Sequence, residues 1–349
     1  MNSTFQRLMA DTTRLTRSGD LQAATAAIQA ALRGGHDGAA HAADVIDVID
    51  IEAREVHVDT PPRATPGHDA GSFTGGRHAH AAGTRDYKLY VPPGARDRPL
   101  PLVVMLHGCT QDPDDFAAGT RMNEAALERG FFVLYPAQAQ NANASRCWNW
   151  FKHNHQRRGR GEPALLADMT HAVIQRHGID ARRVYVAGLS AGGAMAAILG
   201  DAYPDVYAAV GVHSGLPTGS ATNVKTAFDA MKHGAASGGT RGAGAPPVIV
   251  FHGDRDTTVH PVNGEQIVTA GAGTAAERER MRSENGRECT RQVHRDAAGH
   301  VVAEHWVVHG AGHAWSGGSP RGSYTDPKGP DATEEMLRFF FTRTLRTTS

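Results

Sequence analysis

One short stretch limits what this chain can fold into. From Val184 to Ala197 it reads Val-Tyr-Val-Ala-Gly-Leu-Ser-Ala-Gly-Gly-Ala-Met-Ala-Ala. The β-branched and aromatic run from Arg183 to Ala187 predicts a buried strand, and the Ala/Met/Leu-rich segment ending near Gly200 predicts a helix. Between them a serine sits at the centre of G-x-S-x-G, Gly188 to Gly192. In so tight a strand-to-helix turn the serine takes a strained backbone conformation, at a cost of about 1–3 kcal/mol. The residues two before and two after it must lack a Cβ so that strand and helix can pass closely. The turn pushes the Ser190 hydroxyl towards solvent and aims the first N–H groups of the helix at the same point, where negative charge would be stabilised.

The rest of the chain supplies the layers such a turn needs. Tyr87 to Val91 alternates and stops at Pro92-Pro93, as a strand in an outer part of a sheet would. Leu102 to Leu106 and Phe131 to Tyr135 are continuous apolar runs of buried-strand type. Tyr207 to Val212, Val248 to Phe251 and Glu304 to Val308 predict three further strands. Helices are predicted over Arg121 to Arg129 and Leu165 to His177, and over Asp331 to Arg346, where Met336, Leu337, Phe340 and Phe341 share an apolar side. This alternation predicts an α/β fold, a mostly parallel central sheet of about eight strands covered by helices on both faces.

Three regions follow. Residues 1–44 read as an N-terminal helical appendage, with Asp20 an N-cap for its second half. Residues 45–84 read as a linker, with one strand at Ala53 to Val58 and a Pro/Gly-rich loop from Asp59 to Arg85. Residues 85–349 form the main domain. Within it, 214–246 is a Gly/Ala-rich insertion with a helix at Val224 to Met231, a lid or rim whose low apolar content predicts a mobile flap.

Composition excludes several classes. Lys+Arg and Asp+Glu are equal at 36 each, so nothing favours nucleic acid or an anionic membrane surface. No run of 18 apolar residues predicts a membrane span. The 20 histidines lie mostly in loops, and His78/His80 and His153/His155 lack partners at zinc spacing, so neither metal nor cofactor is expected. Oligomeric state is not legible.

In parallel α/β sheets the reactive groups stand at the carboxyl ends of strands. His107-Gly-Cys-Thr-Gln111 follows one strand and can present the Cys109 N–H to an oxyanion, with the Ala191 N–H as second donor. After Val250-Phe-His-Gly, Asp254 and Asp256 compete to orient a histidine; Asp256, further out, has the reach, while Asp254 suits the turn amides. His313, in Gly-Ala-Gly-His-Ala-Trp beyond the last strand, is the general base. Ser190, Asp256, His313 is the chain order of α/β-hydrolases. Trp148 and Trp150 beside Phe151, Trp315 two residues past His313, and His107 are candidates to line the substrate site.

Four segments, Leu106-His-Gly-Cys-Thr-Gln111, Cys147-Trp-Asn-Trp-Phe151, Gly188-Leu-Ser-Ala-Gly-Gly193 and Gly312-His-Ala-Trp-Ser-Gly-Gly318, together resemble bacterial polyhydroxybutyrate (PHB) depolymerase-family esterases. The resemblance runs from Arg85 to Arg346. It implies an α/β-hydrolase fold, no metal, and ester hydrolysis through an acyl-serine, on hydroxyalkanoate-type esters or polyester oligomers. Feruloyl- and acetyl-ester hydrolysis are alternatives within the family, and acyl transfer uses the same groups. Solid polymer is the less expected substrate, because no chain-binding module is evident. In the usual hydrolase strand order Cys109 and Cys147 follow neighbouring strands, so a disulfide between them is open; two buried thiols are the alternative, and Cys289 stays free. The lack of a signal segment argues for the cytoplasm, a disulfide and the family's habits for export.

Overall fold

The computed structural model describes residues 70–236, 241–242, 244–271, 273–284 and 286–345. They fall in the second of two units of the chain, Ala64–Ser349. The expected appendage at 1–44 and the strand at Ala53 to Val58 lie outside the described residues.

Six parallel strands form the centre: β3 (Leu102–Leu106), β4 (Phe132–Pro136), β5 (Val184–Leu189), β6 (Ala209–His213), β7 (Val248–Gly253) and β10 (Val301–Val308). Two antiparallel strands flank them on one side, β1 (Ser72–His80) and β2 (Gly83–Val91), and two on the other, β8 (Thr274–Arg282) and β9 (Glu288–Arg295). The order is β1-β2-β4-β3-β5-β6-β7-β10-β9-β8. A two-stranded sheet of β11 (Trp315–Ser316) and β12 (Thr325–Asp326) stands apart.

Every residue of β3 to β7 is buried, which is why these strands read as unbroken apolar runs. Alternation along each strand divides the core into two faces. Leu102, Val104 and Leu106 pack with α3 (Gly161–His177) and α4 (Ala191–Ala202), through Leu166, Met169, Met195 and Ile198. Val103 and Met105 belong to the opposite cluster, with Phe116 of α1 (Pro113–Thr120), Met122 of α2 (Met122–Arg129) and Met336, Leu337 and Phe340 of α7 (Ala332–Phe341). Burying each such side chain is worth about 1.5–3 kcal/mol.

The sheet has ten strands rather than about eight. Residues 72–80, expected to be loop, form β1, which covers the edge of β2. Its glycines made it read as loop, yet they have a packing reason: a Cβ on Gly76 would lie 2.4 Å from the Tyr87 ring. β8 carries no apolar periodicity because it is a charged edge strand; Glu277 pairs with Arg295 of β9 and Arg280 with Glu288.

The insertion at 214–246 carries a helix tied to the main domain. Its helix α5 (Val224–His233) starts in an Asn223/Thr226 capping box and buries Ala227 and Ala230. Asn263 and Gln266, both on α6 (Val262–Thr269), bond the backbone of Ala230 and Ala235. Among the described residues no helix is long and apolar enough to cross a membrane.

Candidate active site

The turn after β5 has the predicted form. Ser190 has φ 58° and ψ −120°, left-handed for a residue with a Cβ, and α4 begins at the next residue. A Cβ on Gly188 would lie 2.4 Å from the Gly192 carbonyl carbon, and one on Gly192 would lie 2.0 Å from the Leu106 oxygen. Strand, turn and the start of the β3 loop are therefore in backbone contact. The Ser190 N–H donates to the His213 carbonyl at 2.8 Å, fixing the turn to β6.

Asp256 and His313 arrive from the loops after β7 and β10. The His313 Nδ1 is 2.7 Å from Asp256 Oδ2. The other carboxylate oxygen accepts the Thr258 and Val259 N–H groups, both at 2.9 Å, and the carboxylate is fully buried. Burial alone would raise its pKa; the neighbouring His252 and His313 side chains outweigh that and hold it below the ordinary carboxylate range. The ionised form therefore persists beside His313. Asp254 points elsewhere, accepting the Gly310 N–H at 2.7 Å and meeting His309 Nδ1 at 2.8 Å, so it ties down the start of the loop that carries His313.

The loop after β3 lies against the serine: a Cβ on Gly108 would stand 3.6 Å from that of Ser190. The amides on either side of Cys109 are both committed, Gly108 N–H to Gln111 Oε1 at 2.9 Å and Thr110 N–H to the Ser145 carbonyl at 2.7 Å. Ala191 opens α4, where an N–H has no carbonyl partner within the helix. A disulfide joins Cys109 to Cys147, and Cys289 is free and buried. The Cys147 side is anchored in turn by Glu162, which accepts from the Asn149 N–H at 2.7 Å and from Gln138 and Arg85 side chains. Burial pushes the Glu162 carboxyl up, but His155, Gln138 and Asn149 together bring it down to about 2.

The four side chains expected to line the substrate site, Trp148, Trp150, Trp315 and His107, are all buried. Trp148 is fully buried and donates its indole N–H to the His107 carbonyl at 3.1 Å. Trp150 lies in the same core, edge-on to Phe151. Trp315 is sandwiched between His213 and Phe116 and donates to Thr333. His107 is buried with both ring nitrogens engaged, Nδ1 with the Gly108 carbonyl and Nε2 with the Gln138 N–H, and burial lowers its pKa to about 4. These groups brace the loops from beneath, where burial and hydrogen bonding favour them over an open wall.

Two strand-end histidines, His213 and His252, support these loops. His213 Nε2 accepts the Ser316 N–H at 2.9 Å, which pins the loop after His313 to the end of β6; burial lowers its pKa to about 3, keeping that nitrogen an acceptor. His252 Nε2 bonds the Val259 carbonyl at 2.9 Å and stands 3.4 Å from Asp256 Oδ2. Their only sequence signal is a position at a strand end.

The central parallel strands with a left-handed serine after β5 and helices on both faces define an α/β-hydrolase. The same fold is seen in the acetyl xylan esterase from Aspergillus awamori, with a TM-score of 0.54 at 21% identity over 69% of this chain and 94% of that one. The family described as esterase PHB depolymerase matches residues 85–273, and the chain belongs to it. It is 36% identical over 180 residues to poly(3-hydroxyalkanoate) depolymerase C of Paucimonas lemoignei, covering 48% of this chain and 43% of that protein. It is 30% identical over 198 residues to feruloyl esterase B of Thermothelomyces thermophilus, covering 52% and 67%. The match thus spans less than half the length of the depolymerase.

Proposed function

We propose that the protein is a serine carboxylesterase acting on short-chain hydroxyalkanoate esters and polyester oligomers through an acyl-serine intermediate. The observation that carries this reading is the left-handed Ser190 at the head of α4. The 2.7 Å contact of His313 with the buried Asp256 supports it.

Ser190 Oγ attacks the ester carbonyl carbon while His313 Nε2 takes its proton. Asp256 accepts the Nδ1–H bond and balances the imidazolium that forms. The carbonyl oxygen becomes an oxyanion held by the Cys109 and Ala191 N–H groups, each worth about 2.7–4 kcal/mol in the transition state. Collapse breaks the C–O bond, and the leaving alkoxide takes the proton from His313. Water then attacks the acyl-serine with His313 as base, releasing the acid and returning the proton to Ser190.

Similarity to a protein named poly(3-hydroxyalkanoate) depolymerase favours the oligoester class. The second reading is feruloyl-type hydrolysis, favoured by the feruloyl esterase relative. Rates on 3-hydroxybutyrate oligomers, methyl ferulate and an acetyl ester, with a fluorophosphonate adduct mapped by mass spectrometry, test both. The oligomers should be the fastest substrates and the adduct should sit on Ser190. Faster turnover of methyl ferulate would select the second reading, and an adduct elsewhere would remove both.

A further inference from the structure

We propose that Tyr324 is a specificity-determining residue, its ring lying along a second ester unit of an oligomeric substrate; this rests on the oligoester reading above. Tyr324 immediately precedes β12, in the segment that pairs with β11. Its carbonyl accepts the Trp315 N–H at 2.7 Å, two residues from His313. Its hydroxyl stands 3.3 Å from Thr110 Oγ1, one residue from Cys109. The side chain therefore spans the loop that carries the proposed base and the loop that carries a proposed oxyanion donor. That second loop reaches Ser190 at Gly108, where a Cβ would be 3.6 Å from the serine's own.

The ring is not sunk in the core. Tyr324 is 47% exposed. Among the described residues the other large exposed apolar side chains, Leu127, Val224 and Phe228, stand on α2 and α5. Both ends of the span are held in left-handed backbone, φ 52° at Tyr324 and φ 68° at Thr110. Such conformations persist only where neighbours enforce them, and they gather at ligand clamps. Here Gln111 donates to the Ser323 carbonyl at 3.1 Å, and Asp115 accepts the Ser323 N–H at 2.8 Å. The loop is thus clamped to the segment after β3 immediately before Tyr324.

The hydrogen count shows what the hydroxyl can offer. Thr110 has one hydroxyl proton and gives it to the Cys109 carbonyl at 2.5 Å. Tyr324 is then the donor in the longer 3.3 Å contact, a weak bond that is easily exchanged. A hydroxyalkanoate oligomer alternates aliphatic carbons with ester carbonyls. The ring face suits the first, and the phenolic O–H, released from Thr110, suits the second.

The test is a ratio of kcat/KM values, for the linear trimer of 3-hydroxybutyrate over methyl 3-hydroxybutyrate, in the wild type, Tyr324→Phe and Tyr324→Ala. The ratio should fall about threefold in Tyr324→Phe, which loses one hydrogen bond, and about tenfold in Tyr324→Ala, which also loses the ring face, mainly through a higher KM for the trimer. Taking a ratio cancels any shared loss of folded enzyme. A ratio unchanged within twofold in Tyr324→Ala, or equal losses on both substrates, would overturn the inference while the oligoester reading stands. A wild type that leaves the trimer intact would overturn both.

Discussion

A Cβ on Gly192 would lie 2.0 Å from the carbonyl oxygen of Leu106. The serine turn and the loop after β3 are thus built against each other with no room for a side chain, so the proposed nucleophile and a proposed oxyanion donor share one backbone contact. Gly192→Ala must displace main chain rather than a flexible tip. Overpacking of this kind costs about 1–3 kcal/mol or more. The variant should show a lower melting temperature and a kcat reduced at least a hundredfold, checked by thermal melts and steady-state rates on the same preparation.

The Cys109–Cys147 disulfide closes a loop over a sequence separation of 38 residues. Chain entropy assigns such a closure about 4 kcal/mol of stability. The double variant Cys109→Ser, Cys147→Ser should therefore unfold at lower denaturant concentration. Its kcat should fall about tenfold, less than the 10²–10³ expected when an oxyanion donor is lost outright, because Thr110 and Gly108 keep their own hydrogen bonds. Urea titration and kcat on a short-chain ester, with and without reductant for the wild type, check this.

Three buried histidines predict acid sensitivity. Burial lowers His107 to about 4 and His213 and His305 to about 3, each below the ordinary value near 6.5. Between those limits the unfolded chain binds protons that the folded chain refuses, so stability is fully present above about pH 6.5 and is lost as pH falls towards 3–4. Each histidine contributes at most about 1.4 kcal/mol per pH unit. Denaturant melts at pH 7.5, 6.0 and 5.0 should show a steepening loss; a flat profile would contradict the neutral, buried assignment.

His213 joins the end of β6 to Ser316, three residues past His313. His213→Leu leaves the Ser316 N–H buried without its acceptor, a cost of about 1–3 kcal/mol. The expected result is a fall in kcat with little change in KM, since the proposed base would shift and the substrate walls would not. Parallel changes in both constants would point to a general loss of packing instead.

The central strands were legible because they are buried on both faces, and an unbroken run such as Leu102 to Leu106 states that directly. The left-handed turn at Ser190 and the contact of His313 with Asp256 were legible where chemistry and backbone geometry coincide, each next to a glycine-rich strand end. The burial of the tryptophans was not legible, because a residue's place in the chain does not say whether its loop folds over it. Trp148 and Trp315 have hydrogen-bond partners supplied by His107 and Thr333, far away in sequence. β8 was illegible for the opposite reason: its alternation is of charge, settled by pairing with β9. Tyr324 sits in a loop with no period, and its contacts with Trp315 and Thr110 come from segments that the sequence does not bring together.

The central claim is that the Ser190 hydroxyl is the nucleophile, and kcat of Ser190→Ala on a short-chain hydroxyalkanoate ester tests it most directly. A fall of at least about 10⁴-fold, with the melting temperature kept, is the predicted result. Turnover within tenfold of the wild type would contradict it.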